Sequence, residues 1–414
     1  MNKKIITAFE RSVIPVDDLT KAELTALLRT AKRLKSGGNA QDDFVLRVVN
    51  NRLETGKFTG VVDCGGSLRI EILPKTAKNG DYEKARQAAL MMLQRVCKLD
   101  VRTGGISGVK ENKDIYELLI CLYLREVDRV IKSGLKGGYN TVENNLPFYK
   151  GRLLLNEHIR RNSAHMERFY VAYDEFSENC PENRLIKATL ARLLSVSVSN
   201  DNRKKLRRRL ELMDTIDMPQ SITRDFAAVS VSRANPGYRK LMNWSRMFLH
   251  GNRLDPSSDK GAFNVLLFSA EELFEKFIGA ELRKALPDWN VNLQESQKHL
   301  SGDPKLFRLR PDIVIRKGSK TVVLDTKWKL LSDDPENHYN ISEKDVYQIF
   351  AYARAYDITD VFLIYPKPSS GIADAKMCFY LPDSVKVHII TVDLFDYDIA
   401  SLKSALCSQS RWFN

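Results

Sequence analysis

Two short apolar runs split by a glycine turn constrain this chain most: "PDIVIRKGSKTVVLDTKWKLL", from Pro311 to Leu331. β-Branched residues dominate both runs and "KGSK" supplies the break, so the stretch predicts an antiparallel hairpin. Three ionisable residues, Asp312, Asp325 and Lys327, interrupt the apolar pattern. In a strand, side chains two apart share a face, so Asp325 and Lys327 point together while Thr326 and Trp328 point the other way. Pairing across the turn then brings Asp312, at the start of the first strand, beside Asp325, near the end of the second. Trp328, opposite to Lys327, is expected to pack beneath the sheet.

Carboxylates in an apolar β setting carry a large desolvation cost unless a cation compensates it. Two convergent carboxylates suit Mg²⁺, with Mn²⁺ as the alternative, because such a cation prefers oxygen ligands and keeps several waters. A neighbouring ammonium can orient or help deprotonate a water, or stabilise charge on a phosphate. Together these parts hydrolyse phosphodiesters; the plain alternative is a surface hairpin with one Asp–Lys pair.

Two helical stretches extend the pattern. In "SAEELFEKF", Glu272 and Glu275 lie three apart on one helix side, and Glu275 is the expected third metal ligand, although spacing alone does not separate it from Glu272. Glu271 is expected to face solvent. In "DVYQIFAYARAY", Gln348 and Tyr352 are four apart and can flank the site, with Gln348 touching Lys327 or a phosphate; for Tyr352 the alternative is a core position.

At 414 residues the chain exceeds one average domain. An α+β multi-domain architecture is expected. A β-rich unit fills residues 1–80, where "TGVV" and "LRIEILP" flank a "CGGS" turn and Thr20 can cap a first helix. Mostly helical sequence fills 81–235, and an α/β domain fills 236–414. No apolar run is long enough to span a bilayer and no leader pattern opens the chain, so a cytoplasmic protein is expected, with no membrane contact. The six cysteines form no C-x-x-C pair, which argues against zinc ribbons and disulfide frameworks. A net charge of +13 suits a phosphate-rich partner. The densest basic run, "NRKKLRRRLELM", reads either as a solvated helix face or as a phosphate-contacting patch. No G-x-x-x-x-G-K-[ST] is present, so the chain is not expected to be a P-loop NTPase.

The order helix-Glu275, Pro311-Asp312, Asp325-Thr326-Lys327, then Gln348-x-x-x-Tyr352 resembles the PD-(D/E)xK nuclease superfamily, with Asp at the second acid. A more specific resemblance spans roughly residues 45–400. "FTGVVDCGGSLRIEILPK", "FYKGRLLLNEHI" with "RFYVAYDEFSENCPENRLIKATL", "LLFSAEELFEKFI", and "LRPDIVI" with "VLDTKWK" look, in that order, like the blocks of the McrC family. This is the nuclease subunit of McrBC modification-dependent restriction systems. The resemblance implies a C-terminal restriction-endonuclease-like domain that cuts double-stranded DNA carrying modified bases, with Mg²⁺ held by Asp312, Asp325 and Glu275 and with Lys327 at the reacting phosphate. It also implies an AAA+ GTPase partner of McrB type, whose GTP hydrolysis the chain stimulates, docking through the N-terminal β-rich part, and a second nuclease copy for cutting both strands. Arg69 and Lys75 are candidates for that stimulation, though no motif fixes either. A non-catalytic activator of such a GTPase and a stand-alone nuclease are the alternatives.

Overall fold

The computed structural model describes residues 3–34, 44–65, 67–75, 81–96, 114–230, 236–250, 265–367, 377–395 and 397–409. Residues 80 and 235, the expected ends of the first two regions, lie outside them. By contacts the chain divides into two units, one of residues 1–116 with 252–414 and one of residues 117–251.

Among the described residues the first unit holds three sheets. Strands β1 (Lys4–Phe9), β5 (Phe58–Gly65), β6 (Leu68–Leu73) and β10 (Val265–Ser269) form one of them in the order β1-β6-β5-β10. β5 and β6 are the hairpin read from "TGVV" and "LRIEIL", antiparallel with an irregularity between Asp63 and Gly65. The fourth strand was not expected there: β10 comes from about two hundred residues further on and pairs antiparallel with β5, Leu267 opposite Gly60. Gly60, at φ +137°, allows that approach, because a Cβ there would lie 1.9 Å from the carbonyl oxygen of Leu266. A small sheet of β2 (Val13–Pro15), β3 (Leu46–Val49) and β4 (Arg52–Thr55) joins this sheet and helix α1 (Lys21–Arg33) around Leu27, Leu53, Leu68, Ile70 and Ile72. Thr20 caps α1 in a reciprocal box with Glu23.

The third sheet carries the hairpin. Its order is β11 (Asn290–Leu293), β12 (Ile313–Lys317), β13 (Lys320–Thr326), β14 (Asp360–Pro366), β16 (Lys386–Val392) and β15 (Cys378–Tyr380). β11 and β13 each pair antiparallel with β12; β13, β14 and β16 run parallel. Gly318, at φ +59°, makes the two-residue turn that sets the pairing Lys317↔Lys320. The parallel step from β13 to β14 requires a crossover, and α10 (Glu343–Tyr356), capped by Ser342, supplies it. Its Ile349, Tyr352 and Ala353 bury against Val314, Val323, Val361 and Leu363. α9 (Ala270–Ala285), capped by Ser269, follows β10 and packs on β11 and β13 and on α2 (Tyr82–Val96) and α11 (Ile399–Gln409).

The second unit is mostly helical. α3 (Ile115–Ser133) runs into it and ends at Gly134, φ +92°. α5 (Pro181–Val196), α6 (Asn200–Glu211), α7 (Ile222–Ala228) and α8 (Pro236–His250) follow, with buried Tyr123, Leu190 and Trp244 among them. α4 (Leu155–Asn162) accompanies a three-stranded sheet of β7 (Gly138–Leu146), β8 (Arg152–Leu153) and β9 (Phe169–Ser177). The basic run lies on α6. Leu206 is buried, Arg209 grips Asp128 at 2.7 and 2.8 Å, and Lys204, Arg207 and Arg208 are exposed, which is the arrangement of a solvated face. Among the described residues no helix is long and apolar enough to cross a membrane.

Candidate active site

Asp312 immediately precedes β12 and Asp325 is the penultimate residue of β13. The register Ile313↔Leu324 makes them neighbours across the strand pair. Asp312 is fastened by Thr326, whose backbone N–H and hydroxyl both donate to Oδ2 at 2.7 Å. Among the described residues its other oxygen has no hydrogen bond. Asp325 is 1% exposed, and its Oδ2 lies 2.5 Å from Lys327 Nζ as an ion pair without an aligned hydrogen bond.

Lys327 is held on its other side by α10. Nζ donates to Gln348 Oε1 at 2.8 Å, Gln348 Nε2 donates to the Tyr352 hydroxyl at 2.8 Å, and that hydroxyl donates to the Arg310 carbonyl at 3.0 Å. This relay closes a loop from the residue before Pro311 back to the end of the hairpin. Gln348 and Tyr352 therefore both stand at the site, and Tyr352 is at the same time part of the core. Trp328 faces the other way, as the alternation requires, with its ring 5.2 Å from that of Phe274 on α9.

Glu275 is placed less directly. It is 7% exposed, and its Oε2 accepts from Gln294 Nε2 at 3.0 Å, while Arg310 donates to the same amide's oxygen. Glu272 is half-buried and pairs with Lys276; Glu271 is exposed. Among the described residues no three His, Cys, Asp or Glu side chains converge into a ready-made metal cage.

The electrostatics are those of a site short of positive charge. Burial, and then the Asp312 carboxylate, push Asp325 up to about 7. Burial raises Asp312 despite the two Thr326 donors, and burial with Asp312 beside it takes Glu275 to about 7. Burial alone would lower the Lys327 ammonium, but Asp325, Asp345 and Asp312 hold it above its ordinary value. Lys327 is thus a fixed cation near neutral pH and a poor proton acceptor.

The family model described as McrBC 5-methylcytosine restriction system component matches residues 53–366. The chain belongs to this family. A curated relative, the type IV methyl-directed restriction enzyme EcoKMcrBC of Escherichia coli K12, is 23% identical over 273 residues, covering 61% of this chain and 75% of the relative. Among solved structures, the fold matches a chain of a half-complex of Thermococcus gammatolerans McrB AAA+ hexamers with bound McrC, at a TM-score of 0.76 and 20% identity over 98% of this chain and all of that one. A second structure, the Thermococcus gammatolerans McrBC complex, matches at a TM-score of 0.55 and 22% identity over 68% of this chain and 88% of that one.

In this McrBC family member, two side chains join the site without having been singled out by sequence. Asp345 lies 3.6 Å from Lys327 Nζ and also pairs with Lys329. The signal was its place three residues before Gln348, on the same helix side. Gln294, at the end of β11, holds Glu275, and nothing in its local sequence pointed there. Arg69 is 1% exposed and ion-paired with Asp114 at 2.8 Å and Asp63 at 3.4 Å, so in this structure it braces the fold and is not presented to a partner. Lys75 is exposed.

Proposed function

We propose that this chain is the Mg²⁺-dependent DNA endonuclease subunit of an McrBC-type restriction complex, with a PD-(D/E)xK nuclease domain built on the six-stranded sheet. The observation that carries this reading is the convergence of Asp312, Asp325 and Lys327 at adjacent strand ends, held by the Gln348–Tyr352 relay, in a member of this family. Mg²⁺ fits the donor set. Asp325 Oδ2 is a buried oxygen without a hydrogen bond, Asp312 is tethered through one oxygen only, and burial raises both carboxyls, Asp312 raising Asp325 further. A cation that keeps waters needs only one or two protein carboxylates.

Asp312 and Asp325 would hold the ion, with Glu275 reaching it from α9. When bound, the cation supplies Lewis-acid stabilisation of the charge that builds on the phosphate. Lys327 contributes a second fixed positive charge, oriented by Gln348 and aimed where a phosphoryl oxygen would gain charge. Thr326 fixes the Asp312 carboxylate so that it need not reorganise. The solved relatives show McrC on McrB AAA+ hexamers; by the same likeness, this chain acts with an AAA+ GTPase of McrB type, stimulates its GTP hydrolysis, and cuts modified duplex DNA in the bacterial or archaeal cytoplasm, two copies serving the two strands.

The test is cleavage of methylated duplex DNA by the chain with its AAA+ partner and GTP. Cutting in Mg²⁺ that stops in EDTA and returns with Mg²⁺ or Mn²⁺ is expected. GTP hydrolysis stimulated without any cutting in either metal would sink the nuclease reading and leave an activator.

A further inference from the structure

A cavity of about 260 Å³ opens beside the site, lined by Glu10, Arg11, Lys75, Trp328, Lys329, Leu330, Asn340 and Pro366. Three strand ends build it: the turn after β1, the residues after β6, and the segment that leaves β13. Glu10 forms its back. This carboxyl is 2% exposed, and one oxygen accepts both the Trp328 indole N–H at 2.5 Å and the Lys75 backbone N–H at 3.0 Å. The contact joins residues 318 apart in sequence, so the cavity wall is a built feature of the fold.

Its charge is one-sided. Arg11, Lys75 and Lys329 line it against the single acid Glu10. Lys329 pairs with Asp345, but Arg11 and Lys75 are exposed and form no ion pair among the described residues. Arg11 sits in the left-handed region at φ +52°, in the turn that closes β1. Unpaired cations at a concave, partly apolar wall suit an anion that carries carbon groups, because the cations meet the charge while Leu330, Pro366 and the Trp328 edge meet the rest.

The cavity's lining adjoins the candidate catalytic group along the chain and through one carboxylate. Trp328 and Lys329 follow Lys327 directly, and Asp345 touches both lysines. The exposed Glu271 is felt by both Glu10 and Asp312, which places the two acids in one electrostatic neighbourhood.

We infer that this cavity is a subsite for a backbone phosphate of the DNA strand, next along from the phosphate presented to Lys327, with Arg11 and Lys75 as its ligands. The inference rests on the nuclease reading for the identity of the anion. Such a contact positions the strand without reading its sequence. It would set which phosphodiester lies over Asp312 and Asp325, and it assigns the N-terminal strand β1 a part in substrate binding.

The test is anisotropy of a fluorescein-labelled duplex with the full chain, in EDTA to prevent cutting, over a salt series. Arg11→Gln with Lys75→Gln keeps the stems and removes both charges. Losing one phosphate contact should reduce the slope of log affinity against log salt by roughly one and weaken binding roughly tenfold near ~0.1 M salt. An unchanged slope and affinity in a variant that melts like the wild type overturns the subsite, as does a wild-type chain with no salt-dependent DNA binding. Displacement of the duplex by millimolar GTP in the wild type but not in the variant would assign the cavity to a mononucleotide and likewise overturn it. Asp325→Asn, assayed for cutting with the partner, separates the two claims. Absence of cutting even in the wild type, together with a reduced slope in the double variant, rejects the nuclease and retains the phosphate subsite.

Discussion

Lys327→Met removes the ammonium that lies 2.5 Å from Asp325 while keeping an unbranched stem. Asp325, 1% exposed, then faces Asp312 with no other ion-pair partner among the described residues; Gln348 keeps Tyr352, and Asp345 keeps Lys329. Removing one partner of a buried pair costs about 3–5 kcal/mol when the remaining charge has no escape. Asp325 has one, because it can take up a proton, and it already titrates at about 7 in the intact pair. Its folded value is raised above the unfolded one, so the folded state holds more protons and stability falls as pH climbs from about 4 through the folded value. The variant pushes that value higher still and widens the window upward. Around pH 5.5 the acid is protonated and only the contact is missing, a loss of about 1 kcal/mol. Around pH 8.5 the loss should reach about 3 kcal/mol. Urea denaturation at both pH values, for Lys327→Met, Asp325→Asn and the double variant, measures it. The double variant should lie within about 1 kcal/mol of Asp325→Asn alone, a coupling expected of residues in direct contact. Equal losses at both pH values, or strictly additive variants, would refute the buried-pair account.

Two further outcomes follow from named contacts. Gln348→Ala removes the acceptor that orients Lys327 at 2.8 Å, so cleavage should slow about tenfold with the fold intact, while Gln348→Glu, which keeps an acceptor, should retain most of the rate; single-turnover cutting checks both. Gly60→Ala drives a Cβ into the Leu266 carbonyl at 1.9 Å and parts β10 from β5, so thermal melting should show a loss of more than about 3 kcal/mol, against a loss of under ~1 kcal/mol for the open position Gly302→Ala.

The hairpin was legible because its signals are local. A Gly-Ser turn sets the register, alternation sets the faces, and the positions of Asp312, Asp325, Lys327 and Trp328 follow from those two facts. Helices α9 and α10 were legible for the same reason, each opening on a serine cap. Glu275 was read as a third metal ligand; its hydrogen bond to Gln294 could not be read, because β11 brings an amide there that helix periodicity cannot reveal. Long-range pairings were out of reach. Nothing in "VLLFS" says that it completes the sheet of β5, and nothing near Glu10 says that it holds Trp328. Arg69 shows the converse difficulty: a basic residue in a β segment looks available until the fold buries it against Asp63 and Asp114.

The central claim is that Asp312 and Asp325 form the cutting site, and Asp312→Ala tests it most directly. The chain, its AAA+ partner, GTP, Mg²⁺ and methylated duplex DNA are combined, and cutting and GTP hydrolysis are followed in the same reaction. Cutting should fall by at least about 10³-fold while GTP hydrolysis stays at the wild-type level. Cutting at the wild-type rate by Asp312→Ala would contradict the account.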